Sequence, residues 1–222
     1  QAWITYHNYY KAPDLIGPQV AQQLDIPYLL IETSRARSRL TGPWSHFAQA
    51  AEKASDAANV IFYLTHHDAE AIERDRPDAQ HLIHLPPFLA HETLPEPSSV
   101  DGPMLAAGML RHGDKFESYK IIAETLALLP PNSWSLNIAG DGPARAEVDA
   151  LMAPFGSAVT FLGQLDRASM ASAYTDASLF FWPGVNEAFG LVYLEAQASG
   201  VPVVAQNRPG VCDVLARAAP SA

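Results

Sequence analysis

Short apolar runs alternate with stretches of helical periodicity along the chain, and this alternation limits the possible folds more than any other feature of the sequence. Val60–Thr65 and Met104–Gly108 are examples of the apolar runs, and each is too short for a stable helix. Pro43–Ala58 and Ser118–Leu129 are examples of the helical stretches. Strands that alternate with helices of this length form βαβ units, in which helices cover both faces of a parallel sheet. The sequence therefore predicts an α/β fold.

The same pattern predicts the individual elements, and it is clearest after residue 104. The predicted strands are Ala2–Tyr6, Ile26–Glu32, Val60–Thr65, His81–Leu85, Met104–Gly108, Trp134–Ala139, Val159–Leu162, Ser178–Trp182 and Val201–Ala205. The predicted helices are Pro18–Leu24, Pro43–Ala58, Asp68–Arg74, Ser118–Leu129, a helix that ends at Met152, Ala168–Asp176, Phe189–Ala198 and Val211–Ala218.

A proline-rich segment, Leu85–Pro103, separates two groups of predicted elements. Proline fixes the backbone and removes a hydrogen-bond donor, so such a segment connects elements and does not belong to a sheet. We therefore expect a partial first domain over residues 1–85, a linker over residues 86–103 and a second domain over residues 104–222.

Composition and charge exclude several classes of protein. With 48% hydrophobic and 17% charged residues the chain is globular and not disordered. Its net charge of −10 argues against a nucleic-acid binder, which carries a basic patch. The single cysteine, Cys212, excludes an internal disulfide. No apolar run reaches the roughly 18 to 20 residues that span a bilayer, and Gln1–Tyr10 lacks the features of a signal peptide, so we expect a soluble, cytoplasmic protein.

Charged residues follow two of the predicted strands, at the end of the sheet where ligands bind in open α/β folds. Arg111 and Lys115 follow one strand, and a planar guanidinium with a compact ammonium suits a diphosphate. Glu187 follows the other strand, and Glu195 lies further along the next helix. The start of that helix suits a phosphate, and the two carboxylates suit hydroxyl groups on either side of it. Taken singly, each of these residues also fits an ordinary solvent-exposed role.

Other motifs carry less information. Gly140-Asp141-Gly142-Pro143 is a tight turn that contains only part of a dinucleotide-binding fingerprint. His66-His67-Asp68 and the pair His81 and His84 do not have the spacing of a closed metal site. The chain also lacks a Walker A loop and the Gly-x-Ser-x-Gly elbow of a hydrolase.

Taken in order, the motifs of the second segment closely resemble glycosyltransferase family 4, whose members are retaining enzymes of the GT-B fold. Glu187 and Glu195, in a Glu-x7-Glu arrangement, are the most specific part of the resemblance. GT-B enzymes have two Rossmann-like domains that face each other, of which the second binds a nucleotide-diphosphate sugar and the first an acceptor. The segments that carry the resemblance are Gly108–Lys115, Ile138–Pro143, Phe161–Gly163, Glu187–Gly190 and Glu195–Ala205.

The resemblance implies roles for the donor-side residues, of which Glu187, Arg111 and Lys115 are predicted to be catalytic. Arg111 and Lys115 are expected to bind the diphosphate and to stabilise the departing nucleotide without a metal ion. Glu187 is expected to contact the hydroxyl groups of the donor sugar. The other donor-side residues that the resemblance implies are Glu195 at the ribose, the backbone of Phe189, Gly190 and Leu191 at the sugar and phosphates, Gly140 in its turn, and Leu165 and Asp166 beside the base.

The first segment matches the family less specifically. His7 follows its first strand, and Glu32 ends its second strand, where many family members have a histidine. Either Glu32 substitutes for that histidine, or the acceptor side works differently. Both residues are expected on the acceptor side.

The resemblance implies transfer of a hexosyl or related group from a nucleotide-diphosphate sugar to a glycan, lipid or small-molecule acceptor, with no cofactor. A non-catalytic nucleotide-sugar-binding fragment and another GT-B enzyme, such as a sugar-nucleotide epimerase, remain alternatives. Family members have further strands before the segment that resembles Trp3–His7 and continue beyond the position of Ala222, so the resemblance implies either a fragment or a natural protein that is truncated. Peripheral contact with the inner face of a membrane is compatible with the sequence, and no nucleic-acid partner is expected.

Overall fold

The computed structural model describes residues 1–90 and 93–215. The chain divides into two compact units, Gln1–Pro87 (unit 1) and Phe88–Ala222 (unit 2). Each unit contains a parallel sheet whose strands alternate with helices. The predicted α/β class is therefore confirmed.

All residues of unit 1 are described. The unit has a four-stranded sheet in which strands that are adjacent in space are also consecutive in sequence. Leu30 and Ile61 on the central strands are fully buried and pack with Ala54 of a covering helix. The strands are β1 (Trp3–Asn8), β2 (Tyr28–Thr33), β3 (Val60–Tyr63) and β4 (His81–His84), and the helices are α1 (Gly17–Leu24), α2 (Ser45–Ala57) and α3 (His66–Asp75).

The described part of unit 2 has a five-stranded parallel sheet. Its strands are β5 (Met104–Ala107), β6 (Leu136–Ala139), β7 (Val159–Gly163), β8 (Leu179–Phe181) and β9 (Val203–Val204), and its helices are α4 (Asp114–Leu126), α5 (Arg145–Met152), α6 (Arg167–Thr175), α7 (Leu191–Ala198) and α8 (Val211–Val214). The spatial order is β7-β6-β5-β8-β9. The chain runs outward from β5 to β7 and then returns to the other side of β5. Such a reversal opens a crevice at the carboxyl ends of β5 and β8, which is where ligands bind in these sheets.

Large aromatic side chains fill the core of unit 2 beneath this crevice. Trp182, Tyr119, Tyr193 and Phe180 are fully buried, and each contributes about 1.5–3 kcal/mol through burial. The two phenols also have hydrogen-bond acceptors, since Tyr119 Oη donates to the carbonyl of Gly108 at 2.9 Å and Tyr193 Oη donates to the carbonyl of Trp182 at 3.1 Å. The core therefore ties the ends of β5 and β8 to the helices that follow them.

The structure differs from the sequence-based elements mainly at helix starts. Helix α4 begins at Asp114, four residues before the predicted Ser118, because Gly113 adopts a positive φ of 80° at its N-cap and Asp114 and Glu117 place negative charge in its first turn. Lys115 therefore lies on a helix and not in a loop. The predicted helix Val211–Ala218 is observed as Val211–Val214, and residues 216–218 lie outside the described part of the chain.

Two features are absent from residues 1–90 and 93–215. No described helix combines the length and the apolar character that a membrane span requires. The described His, Cys, Asp and Glu side chains form no group of three or more that suits a metal ion.

Gly140 allows the loops after β5 and β6 to touch. Its φ is +136°, and a Cβ there would lie 2.0 Å from the carbonyl oxygen of Gly108.

Gly156 also has a positive φ, of +55°, but a Cβ there would meet nothing within 4 Å. Its ψ is −129°, a combination that residues other than glycine rarely adopt, so Gly156→Ala should lower the free energy of unfolding by about 1–3 kcal/mol from backbone strain alone. Gly140→Ala should cost about 2 kcal/mol more because of the clash. Denaturant unfolding of both variants checks this, and equal losses would contradict the close approach.

Candidate active site

The crevice of unit 2 brings together two of the predicted catalytic residues. Lys115 in the first turn of α4 donates a hydrogen bond from Nζ to Oε2 of Glu187, which lies in the loop after β8. Only 16% of the Lys115 side chain and 18% of the Glu187 side chain are exposed. Partial burial strengthens this ion pair relative to one on the surface. The pair holds the carboxylate at the carboxyl end of the sheet.

Trp182 contacts both members of this ion pair. Its Nε1 donates to Oε2 of Glu187 at 3.3 Å, and Nζ of Lys115 lies 5.2 Å from the centre of its ring. The ring also packs against Gly108, where a Cβ would lie 2.7 Å from it. Oε2 of Glu187 thus accepts hydrogen bonds from both Lys115 and Trp182. The ammonium of Lys115 in turn contacts both the carboxylate and the indole ring.

Arg111, the third predicted catalytic residue, lies in the loop after β5 and is exposed. Its guanidinium makes no ion pair or hydrogen bond with any described residue. The loop itself is held in place, since the amide of Leu110 donates to the carbonyl of Asp141 at 3.1 Å and the amide of Ala144 donates to the carbonyl of Leu110 at 2.8 Å. A planar cation on a fixed loop is available for an anionic ligand.

The start of α7 lies next to Glu187. Gly190 is its N-cap with a φ of 63°, and no side chain caps the helix. The sequence pattern had placed Gly190 in the first turn, but the turn begins at Leu191. A Cβ at Gly190 would lie 2.9 Å from Cγ of Glu187, so glycine is needed for this close approach. Phe189 is half-buried against the core.

A cavity of about 310 Å³ lies between α6 and α7, and three predicted donor-side residues line it. Leu165 and Asp166 directly precede α6, and Glu195 lies in the middle of α7. The other lining residues are Leu89, Pro95, Arg167, Met170, Ala171, Tyr174, Ala198 and Ser199. The cavity is largely apolar but contains the two carboxylates of Asp166 and Glu195, and it suits a flat ring attached to a hydroxylated group.

Tyr174 fixes the carboxylate of Glu195 in this cavity. Its Oη donates its one proton to Oε2 of Glu195 at 2.9 Å and also lies 3.3 Å from the carbonyl oxygen of Val192. Burial, and then the negative charge of Glu195, raises the pKa of Tyr174 well above its usual value. The phenol therefore stays protonated and remains a donor to Glu195 at neutral pH.

Asp166 has a structural role as well as its place in the cavity. Its side chain accepts a hydrogen bond from the amide of Ser169 at 2.8 Å and so caps α6. This backbone hydrogen bond lowers the pKa of Asp166. One of its oxygens is thus already engaged by the helix.

In unit 1, the predicted acceptor-side residues His7 and Glu32 lie side by side at the ends of β1 and β2. Nδ1 of His7 is 3.3 Å from Oε1 of Glu32. A hydrogen bond with Glu32, followed by burial, raises the pKa of Tyr6 to about 12. Both His7 and Glu32 have a positive φ, which is unusual for residues other than glycine.

The structure thus brings Lys115 close to Glu187, Glu195 close to Leu165 and Asp166, and His7 close to Glu32. Gly140 joins the loops after β5 and β6. Sequence reasoning missed two supporting residues, Trp182 at Glu187 and Tyr174 at Glu195. Both are aromatic residues on buried faces, and nothing in the pattern of the sequence indicates which polar group their Nε1 or Oη meets.

Comparison with known proteins identifies the family. The sequence profile described as glycosyl transferases group 1 matches residues 104–219, which is more than half of the 222 residues. The chain belongs to the group 1 glycosyltransferases. The matched segment contains the crevice of unit 2, with Arg111, Lys115, Glu187 and Glu195.

Individual relatives of this group 1 glycosyltransferase agree with the family. A sulfoquinovosyl transferase of Arabidopsis thaliana is 37% identical over 76 residues, which is 34% of this chain and 14% of that protein. A GDP-mannose-dependent alpha-mannosyltransferase of Mycolicibacterium smegmatis is 36% identical over 94 residues, which is 42% of this chain and 24% of that protein. Both matches are therefore confined to a small part of the relatives.

The fold is similar to that of solved GT-B enzymes. The sucrose-phosphate synthase of Thermosynechococcus elongatus superposes with a TM-score of 0.67 at 21% identity. The superposition covers 94% of this chain and 57% of that chain. The group 1 glycosyltransferase described here thus spans little more than half the length of that solved relative.

The buried phenols of this glycosyltransferase predict its behaviour in alkali. The pKa of Tyr174 is raised in the folded state above the value of about 10 for an exposed phenol. Its contribution to stability is therefore complete below pH ~10 and is lost as the pH rises, because the unfolded phenol ionises first. Tyr174→Phe should reduce the fall in unfolding free energy above this pH by about 1.4 kcal/mol per pH unit. Urea unfolding across that range, with Tyr10→Phe as the control, measures it, and an unchanged slope would contradict the burial of the phenol.

Proposed function

We propose that unit 2 binds a nucleotide-diphosphate sugar and that the whole protein transfers the sugar, with retention of configuration, to an acceptor bound by unit 1. In this proposal the protein is a member of glycosyltransferase family 4. The observation that carries the proposal is the arrangement of Arg111, Lys115 and Glu187 at the crevice, beside a cavity that contains Glu195. Cations next to a carboxylate and an apolar cavity match the phosphate, sugar and nucleoside parts of such a donor.

The nucleoside would occupy the cavity between α6 and α7. Glu195 would accept hydrogen bonds from the ribose hydroxyl groups through the oxygen that Tyr174 leaves free. The base would lie against Leu165 and Met170, which supply apolar surface. The names of relatives point to more than one nucleotide, since one relative is described as GDP-mannose-dependent and a solved structure of similar fold is described as a complex with UDP and GlcNAc. The base is therefore left to experiment.

The diphosphate would bind between the start of α7 and the two cations. Uncapped amides at the first turn of α7 and the guanidinium of Arg111 favour an anion there. Lys115 would exchange its hydrogen bond with Glu187 for one with a phosphate, and this would free Glu187 for the sugar hydroxyl groups. We expect these residues to neutralise the leaving group without a metal ion or other cofactor.

In the transfer step, the bond between the anomeric carbon and the phosphate oxygen breaks, and its electron pair leaves with the nucleotide diphosphate. The oxygen of the acceptor hydroxyl group then bonds to the same face of the sugar, and its proton passes to the departing phosphate oxygen. Because Trp182 would still donate to Glu187 after Lys115 has turned to the phosphate, Glu187 is proposed as a sugar-binding residue and not as a covalent nucleophile. The anomeric configuration of the product, measured by NMR, tests this step, and inversion would contradict it.

Variants of the two charged residues test the proposed donor site. Arg111→Ala should weaken the binding of a nucleoside diphosphate by about 10- to 100-fold. It should leave the affinity for the corresponding nucleoside nearly unchanged, because the nucleoside carries no phosphates. Glu195→Ala should weaken the binding of both ligands by a similar factor, because both contain the ribose. Calorimetric titration of each variant with both ligands measures these effects.

Lys120→Ala is the matched control, since Lys120 is a cation on the same helix as Lys115 but pairs with Glu117 at 2.7 Å on the surface. It should leave both affinities unchanged. An equal loss of nucleoside and nucleoside diphosphate in Arg111→Ala would contradict a phosphate contact.

A further inference from the structure

Two histidine rings lie next to each other where β3 leads into α3 and where β4 ends. The ring centres of His66 and His84 are 5.0 Å apart, and the ring planes are inclined at 50°. Both residues are exposed. The sequence pattern grouped His66 with His67 and Asp68, and His84 with His81, and neither group has the spacing of a metal site. The fold instead brings together one histidine from each group.

The backbone holds both rings in place. His66 is the first residue of α3, and the buried side chain of Thr65 caps that helix. His84 is the last residue of β4 and is in register with Tyr63, on whose ring it stacks with the centres 5.1 Å apart and the planes at 19°. The following amide, of Leu85, donates to the carbonyl of Tyr63 at 2.9 Å. The two imidazoles are therefore neighbours because of the fold itself.

The distance between the rings matches that of two imidazoles on one metal ion. A metal ion in the plane of an imidazole lies about 3.2 Å from the ring centre, given a bond of about 2.0–2.1 Å to the nitrogen. At the tetrahedral angle, two such rings have centres about 5.2 Å apart. The observed 5.0 Å is close to this value. An ordinary ring contact also spans this distance, but here both residues are exposed, so an ion from solution can reach them.

We propose that His66 and His84 form a binding site for a divalent transition-metal ion. Imidazole nitrogens suit zinc, copper and nickel, whereas magnesium and calcium prefer oxygen ligands. Within residues 1–90 and 93–215 no group of three or more ligating side chains is present, so the remaining coordination positions are open to water or to an anionic ligand. A bound ion would join the start of α3 to the end of β4. The site lies in unit 1 and does not depend on the proposed transfer reaction.

The test is a calorimetric titration of the full chain with zinc chloride, in a buffer without chelator or phosphate. The wild type should show a binding step that His66→Gln and His84→Gln each weaken by about tenfold or more, because the second ligand of a chelating pair acts at a high effective concentration. His67→Gln is the matched control, since His67 is exposed on the same turn of α3 and lies beside Glu70. It should leave the zinc affinity unchanged.

Two further measurements separate a defined site from scattered binding to the 8 histidines of the chain. In NMR spectra of the chain labelled with ¹⁵N in histidine, zinc should shift two ring signals first and together, and the two glutamine variants identify them. Magnesium chloride should shift neither signal. Zinc should also raise the Tm of the wild type, because the pair exists only in the folded chain, and it should raise the Tm of the two variants less.

Three results would overturn the proposal: a zinc affinity that neither variant lowers, an equal loss in His67→Gln, or ring signals of His66 and His84 that shift at different zinc concentrations. Both side chains are exposed, so without zinc the variants should unfold at the Tm of the wild type. Titration of the same chain with nucleoside diphosphates in EDTA keeps the two proposals apart. Nucleotide binding without zinc binding refutes only the metal site, and zinc binding without nucleotide binding counts only against the proposed function.

Discussion

The indole of Trp182 packs directly against the backbone of Gly108, and the geometry of the crevice in unit 2 depends on this contact. A Cβ at Gly108 would lie 2.7 Å from the ring, so the loop after β5 reaches the end of β8 only because this residue is glycine. The same indole donates to Glu187 and lies below Lys115. One buried ring thus fixes the distance between the loop that carries Arg111 and leads into α4 with Lys115, and the loop that carries Glu187. The rest of the proposed donor site is built around that distance.

The fold of this chain follows from its sequence to a large extent. Parallel strands leave a simple signal, since buried runs such as Leu136–Ala139 are apolar and are followed by helices with clear periodicity. The reversal that places β8 beside β5 leaves no comparable signal, because it depends on packing between distant segments. The start of α4 was missed for a local reason: a glycine N-cap has no side chain to mark the beginning of a helix.

The sequence indicated the charged residues that the structure brings to the crevice and the cavity of unit 2, but not the residues that support them. Arg111, Lys115, Glu187 and Glu195 follow strand ends, and parallel strands bring such ends to one edge of the sheet. Tyr174 and Trp182 act through Oη and Nε1, on side chains that the sequence indicates only as core residues. Likewise, the positive φ of His7 and Glu32 is a property of the backbone, and neither residue type indicates it.

The central claim is that unit 2 is a binding site for the diphosphate of a sugar nucleotide. The most direct test is calorimetric titration of the wild-type chain with UDP, GDP, ADP and CDP in the presence of EDTA. The account predicts that one of these ligands binds in preference to the others, and at least about tenfold more tightly than its own nucleoside. A folded chain that releases no heat with any of the four, or that binds nucleosides as well as their diphosphates, would contradict it.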